Sequence, residues 1–247
     1  MDLSPIQPKW YTYSLAFIIP DFNNWFSYRT PPNCTFEIDD FESEWLYSRP
    51  FDFIHARELE GCIADDNRLF QRAFQHLAPG GYFELQSVYT RLVSDDDTAE
   101  KAINAQLWMR NICEGAAKFG KPLDNVPQWK DKLRDAGFVD IEQEIYKVCN
   151  SPNYATQVVS RCNPNTNSGI QVPIGMWPKD PRLKEIGKYQ SVQELQAVDS
   201  YTPAIFSRVL GWSEAEIGVL VAKVKNDFKD PSIHLYLPVY FLWGRKP

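Results

Sequence analysis

FDFIHAR at residues 51–57 and LAPGGYFELQ at residues 77–86 frame the stretch that decides the fold. Phe51, Phe53 and Ile54 form a short aromatic and β-branched run that predicts a strand, with His55, Ala56 and Arg57 just past its end. Asp65 or Asp66 can cap the helix that follows. Leu69, Phe70, Ala73, Phe74 and Leu77 give that helix one apolar face. Pro79, Gly80 and Gly81 stop it and turn the chain into a second strand over 82–88. Strand, loop, helix, turn and strand make half of a parallel α/β sheet. Ligands of such sheets sit at the carboxyl ends of the strands, which singles out Arg57 and residues 84–87.

Outward from this block, 247 residues suffice for one full core, so a single α/β domain with additions is expected. Apolar residues at 44% and aromatics at 14% exclude a disordered chain. A formal charge of −6 offers no basic footprint for a phosphate backbone, so no direct nucleic-acid binding is expected. Five cysteines without a C-x-x-C pair read as reduced thiols of an intracellular protein, filling core positions rather than binding metal. The start MDLSPIQPKW has no secretory pattern, and the longest apolar run, 15–20, cannot span a bilayer.

Along the chain, residues 1–8 read as a strand end and its loop, and 35–38 as a strand closed by an acidic run. Residues 98–119 form a long helix with Ala102, Ala105, Trp108, Ile112, Ala116 and Phe119 on one stripe. Residues 126–136 form a shorter helix with Trp129, Leu133 and Ala136 inward, and 138–147 a strand. Residues 149–169 have no period and read as loop. Helices follow over 181–198 and 203–210. Ser213 with Glu216 makes a capping box for a helix carrying Ile217, Leu220, Val221, Val224 and Phe228. The last strand, 233–243, contains Pro238, which suits an edge or a bulge.

The order of these elements and the wording of several resemble class I S-adenosylmethionine-dependent methyltransferases, above all the fungal LaeA-like regulators of secondary metabolism. The carrying segments include DLSPIQP at 2–8, PPNCTFEIDD at 31–40, FDFIHAR, LFQRAFQHLAPGGYFELQ at 69–86, GMWPKDPRLKEIG at 175–187 and IHLYLPVYFLWGRKP at 233–247. The resemblance implies a Rossmann-like α/β sheet with helical additions towards the carboxyl terminus, and S-adenosyl-L-methionine as cofactor. It places Asp2 on the cofactor's ribose hydroxyls, Asp40 on the adenine amino group with Phe41 as its neighbour, and His55, Ala56 and Arg57 at the methionine end. Arg57 supplies a fork for the cofactor's carboxylate. Taken alone, Asp2 also reads as a turn residue, Asp40 as a solvated loop acid and His55 as a half-buried histidine. His76 complements a helix dipole, and His234 is structural. No histidine pair has metal-ligand spacing, and no general base or methyl acceptor is legible. The resemblance further implies a nuclear or cytoplasmic setting, velvet-type protein partners and, as the alternative to an enzyme, a non-catalytic regulatory protein on the same fold.

The chain also departs from that family. The family opens with a strand and a G-x-G-x-G loop, and neither is present, so an incomplete domain with impaired cofactor binding is expected. Two segments, 11–29 and 148–171, interrupt the match. Removing them restores family wording at both joints. The second begins Val148–Cys149, codable as GTATGT, and ends at Gln171, codable as CAG. Both are expected to be translated introns; a divergent paralogue with long loops is the alternative.

Overall fold

The computed structural model describes residues 40–146 and 171–247. The expected strands at the amino end, Asp2, the 11–29 segment and nearly all of the 148–171 segment lie outside the described residues. Strands β1 (Phe51–Arg57) and β2 (Leu77–Val88) pair in parallel, His55 opposite Glu84 and Arg57 opposite Gln86. Helix α1 (Asp66–His76) is the crossover between them. Asp65 is its N-cap, accepting from the Arg68 amide at 3.0 Å. Asp66 is buried instead, and its Oδ2 accepts from Asn125, Trp129 and Lys132 at 2.9–3.1 Å. His55, Ala56 and Arg57 belong to β1 itself rather than to a loop beyond it. β2 likewise starts at Leu77, straight from the helix, because Gly80 takes φ +83° and a Cβ on Gly81 would lie 2.9 Å from the Asp52 carbonyl.

Strand β5 (Leu235–Arg245) runs antiparallel between β2 and β3 (Val139–Tyr146), giving the order β1-β2-β5-β3. The short β4 (Gln171–Ile174) pairs with the first four residues of β5. The last strand is therefore central, not an edge. Pro238 is tolerated because it stands where the partner on one side changes from β4 to β3. On the other side Tyr89 donates to the Pro238 carbonyl at 2.8 Å. The Tyr89 carbonyl, which an amide at 238 would have used, accepts from Arg91 at 2.7 Å. No acceptor is orphaned by the missing N–H.

The expected 98–119 helix divides into a 3₁₀ turn at Thr98–Lys101 and α2 (Ile103–Lys118). Its stripe is buried as read up to Ala116, but Phe119 is 63% exposed. A 3₁₀ turn at Val126–Gln128 leads into α3 (Trp129–Asp135), with Trp129 and Leu133 buried. Helix α4 (Pro181–Ala204) runs through Pro203 into a π turn, Ile205–Val209, where two separate helices were expected. Val198, Thr202, Ile205 and Phe206 are buried, and Trp108 Nε1 donates to Thr202 Oγ1 at 2.8 Å. This packing outweighs the roughly 3 kcal/mol that an interior proline costs. Helix α5 (Glu214–Lys229) opens with the expected Ser213–Glu216 capping box.

The apolar interior forms two clusters. One joins β1 and β2 to α1 and α3 through Ile54, Phe70, Phe83, Trp129 and Leu133. The other joins α2, α4 and α5 to the start of β5 through Trp108, Val198, Phe206, Val224 and Leu235.

Candidate functional site

Beyond Arg57 the chain leaves β1 through Glu58, whose φ is +54°, an unfavourable left-handed conformation for a residue with a side chain. The Glu58 amide still donates to the Gln86 carbonyl of β2 at 2.8 Å, so the loop that follows starts at the strand end. This loop carries Glu60 and Cys62. Opposite, α4 contributes Glu194 and Tyr201. Burial raises the Tyr201 phenol, and the charges of Glu194, Cys62, Glu60 and Glu58 raise it further, so all five groups share one neighbourhood. The Glu60 carboxyl is pushed up to about 7, by burial first and then by the negative charge of Glu58. Glu194 is 6% exposed and raised by burial to about 6, with Oε1 held by Gln190 Nε2 at 2.7 Å. Burial likewise raises the Cys62 thiol.

The buried Ser87 hydroxyl lies within hydrogen-bonding reach of the Glu60 carboxyl and lowers it, against the larger effect of burial. Among the described residues no cation forms an ion pair with Glu58, Glu60 or Glu194. Next to this loop Gly61 borders an opening of about 90 Å³, otherwise lined by Ala116, Phe119, Leu123, Ile205 and Val209, with Lys121 and Arg208 at its polar positions. The π turn forms one of its walls. A carboxyl group held near 7 can take up or release a proton at neutral pH.

The residues expected from the sequence fall around this cluster. His55 Nδ1 lies 3.1 Å from Glu84 Oε1, the residue opposite it on β2. Ala56 is buried in the first apolar cluster, leaving only its backbone for a ligand. Arg57 is exposed at the end of β1 and makes no ion pair or hydrogen bond among the described residues. Its charge reaches Glu58. Asp40 holds a turn: its Oδ1 accepts from the Glu42 amide at 3.1 Å and its Oδ2 from Ser43 Oγ at 3.0 Å. The Phe41 carbonyl accepts from Trp45 Nε1 and Arg72 Nη1, and Phe41 lines a hollow of about 180 Å³ at the start of α1. Glu42 ties this turn to the strand-end loop, accepting from the Ala64 amide at 2.6 Å and pairing with Lys121, which also donates to the Cys62 carbonyl at 2.9 Å. His76 lies with both ring nitrogens 3.0 Å from carbonyls of Arg72 and Trp45, and His234 pairs with Asp96, so both are structural.

Glu58, Glu60 and Cys62 escape the sequence reading, although an E-x-E-x-C string directly after a strand was a signal for them. Glu194 and Tyr201 carry no such signal, because only the packing of α4 brings them to the strand ends. Among the described residues no cluster suits a metal ion, and no helix is long and apolar enough to cross a membrane.

Residues 1–143 match a family described as a methyltransferase domain. The methyltransferase pytC of Aspergillus terreus is 30% identical over 246 residues, covering 100% of this chain and 63% of its own length. The probable methyltransferase tdiE of Emericella nidulans is 30% identical over 211 residues, covering 85% and 59%. The secondary metabolism regulator laeA of Monascus pilosus is 25% identical over 250 residues, covering 100% and 56%. The chain thus spans little more than half to under two thirds of the length of these relatives. Among solved structures, YcgJ of Bacillus subtilis covers 91% of the chain and 76% of its own, with TM-score 0.44 and 12% identity. A phosphoethanolamine N-methyltransferase of Haemonchus contortus covers 85% and 36%, with TM-score 0.38 and 17% identity. With a parallel strand pair, a crossover helix and an antiparallel final strand under a match of this extent, the chain belongs to the methyltransferase-domain family and shares its Rossmann-like α/β sheet.

Proposed function

We propose that this chain is the larger part of an S-adenosylmethionine-dependent methyltransferase of fungal secondary metabolism. The observation that carries this reading is the match of residues 1–143 to the methyltransferase-domain family, with Arg57 and the raised carboxyl of Glu60 placed at the carboxyl ends of the parallel strands. The guanidinium of Arg57 at one end of β1, without an ion pair among the described residues, and the hollow beside Phe41 fit a cofactor with a carboxylate at one end and a flat base at the other. Asp2, Asp40, Phe41, His55, Ala56 and Arg57 are the residues assigned to hold it, Ala56 by its backbone. When bound, the cofactor supplies an electrophilic methyl group. The protein's own task is to orient the acceptor, exclude water and take up its proton, the last falling to Glu60.

The 247 residues contain no two glycines in G-x-G spacing, so the close backbone approach to the methionine end is missing from this chain. Cofactor binding by the chain alone is accordingly weak. Calorimetric titration of S-adenosylmethionine tests the reading. Saturable binding that Arg57→Ala weakens about tenfold, and that a form restored with a strand and glycine-rich loop strengthens, is the expected result. No binding by either form refutes it.

A second reading, a non-catalytic interaction protein on the same fold, draws on a different observation. Ile186, Tyr189 and Val192 are exposed on α4, beside the exposed Met176. A velvet-type partner captured by this stripe, with no cofactor bound by either form, is the outcome that favours it.

A further inference from the structure

The opening bordered by Gly61 is held in shape by backbone on each side. At the end of α2 Gly120 takes φ +84° and the Lys121 amide donates to the Ala116 carbonyl at 2.9 Å. The chain thereby folds back, and Lys121 and Leu123 join Ala116 and Phe119 in one lining. The Gly61 amide donates to the Pro122 carbonyl at 3.2 Å, which ties the strand-end loop to this turn. The π turn supplies the remaining wall. It packs directly on α2 because Gly115 has no side chain: a Cβ there would lie 2.2 Å from Ile205 Cγ2. None of the lining residues is acidic, and apart from Lys121 and Arg208 all are apolar. Lys121 is neutralised by Glu42 and also donates to the Cys62 carbonyl. Arg208 is exposed and makes no ion pair or hydrogen bond among the described residues. Phe119 is 63% exposed here, although it continues the buried stripe of α2.

We propose that this opening binds an apolar monocarboxylic acid as its anion, the ring or alkyl body against Phe119, Leu123, Ile205 and Val209 and the carboxylate on Arg208. A cationic ligand would meet two positive side chains, and a neutral one would leave the guanidinium to water alone. One carboxylate matches two parallel N–H groups of one guanidinium. A phosphate dianion would call for a second free cation, and Lys121 is already paired. Size agrees with charge. About 150 Å³ of apolar cavity holds a benzene ring. The opening, at about 90 Å³, encloses such a ring in part, and the exposed ring of Phe119 covers the rest. Binding of this kind requires no methyl transfer, so it stands apart from the methyltransferase reading.

Three probes of one shape, 3-phenylpropanoate, 3-phenylpropanol and 3-phenylpropylamine, separate the charge from the apolar body, and acetate supplies the charge alone. Titrated into the full chain by calorimetry at neutral pH, 3-phenylpropanoate is expected to bind at least tenfold more tightly than the other three. Arg208→Gln is expected to weaken it about tenfold and to leave the alcohol unchanged, while Arg208→Lys, which keeps the charge and loses the fork, retains part of the affinity. Phe119→Ala is expected to weaken acid and alcohol alike. Both positions are exposed, so these variants keep the core intact. Equal binding of acid and alcohol, or no binding of the acid, overturns the proposal. So does acid binding that survives Arg208→Gln and is lost in Arg57→Gln, which would move the carboxylate to the end of β1. Arg208→Gln that weakens S-adenosylmethionine as much as the acid overturns it as well, by assigning the opening to the cofactor. Acid binding through Arg208 without any cofactor binding upholds this site and removes the methyltransferase reading instead.

Discussion

Glu60 shows how one side chain couples the site to the stability of the whole. Its carboxyl is raised from an ordinary value of 4.5 to about 7, by burial and then by Glu58. The native state therefore holds this proton more tightly than the unfolded chain does. Between pH 4.5 and 7 the folded form binds more protons, so stability falls as pH rises through that window, and above 7 the deficit is constant. Glu60→Gln removes the deficit. The variant is expected to match the wild type near pH 4 and to exceed it by on the order of 1 kcal/mol at pH 8. That is less than the full shift implies, because the half-buried group is partly solvated. Urea unfolding across pH 4–8 measures it, and parallel curves for the two proteins would show Glu60 to be solvated like any surface acid. A site that opposes its own fold in this way is the ordinary compromise of a functional carboxyl group.

At the scale of elements, local chemistry was legible wherever the signal is local. Asp65 and Ser213 cap the helices the sequence gives them, and the apolar faces of α1 and α5 point inward as their periods require. What the sequence hides are decisions made by distant partners. Pro203 reads as a helix start, yet α4 continues through it because Thr202 and Phe206 are anchored on α2. Pro238 reads as an edge marker, yet β5 is central because neighbouring turns take over its missing bond. Helix α2 makes the point for caps. Its own N-cap, Ala102, has no side-chain oxygen. Asp227 of α5 does the work from 122 and 123 residues away, its Oδ2 accepting from the amides of Asn104 and Ala105 at 2.8 and 2.9 Å. Asp227→Ala is expected to cost about 1–2 kcal/mol, as loss of a cap does. The same change should speed hydrogen exchange at Asn104 and Ala105 ahead of the rest of α2. Unchanged exchange there would mean that the helix start is held by packing alone.

At the scale of the molecule, the candidate site is a seam between two apolar clusters, one built on the parallel strands and one on the helices. Glu58, Glu60 and Cys62 come from the first side, Glu194 and Tyr201 from the second. This division explains why only part of the site was legible: residues after a strand announce themselves, whereas residues on an irregularly patterned helix do not. It also locates the joint on which the site depends. Helix α4 is set against β4 and its following turn through Gly187, whose carbonyl accepts from the Gly175 amide at 3.0 Å. A Cβ at Gly187 would lie 2.0 Å from the Gly175 carbonyl oxygen, a clash with backbone that no rotamer change relieves. Gly187→Ala must therefore lift α4 away from β4, at about 3 kcal/mol, the upper range of overpacking. Because Glu194 and Tyr201 lie two and four turns further along the same helix, they move with it, while Glu58 and Glu60 stay on the strand side. The expected result is a lower melting temperature together with faster hydrogen exchange along α4 at temperatures where the fold persists. The strand side, carried by β1 and β2, should keep its protection. If protection on both sides falls in step with stability, the two halves are one cooperative unit and the seam is not a functional joint.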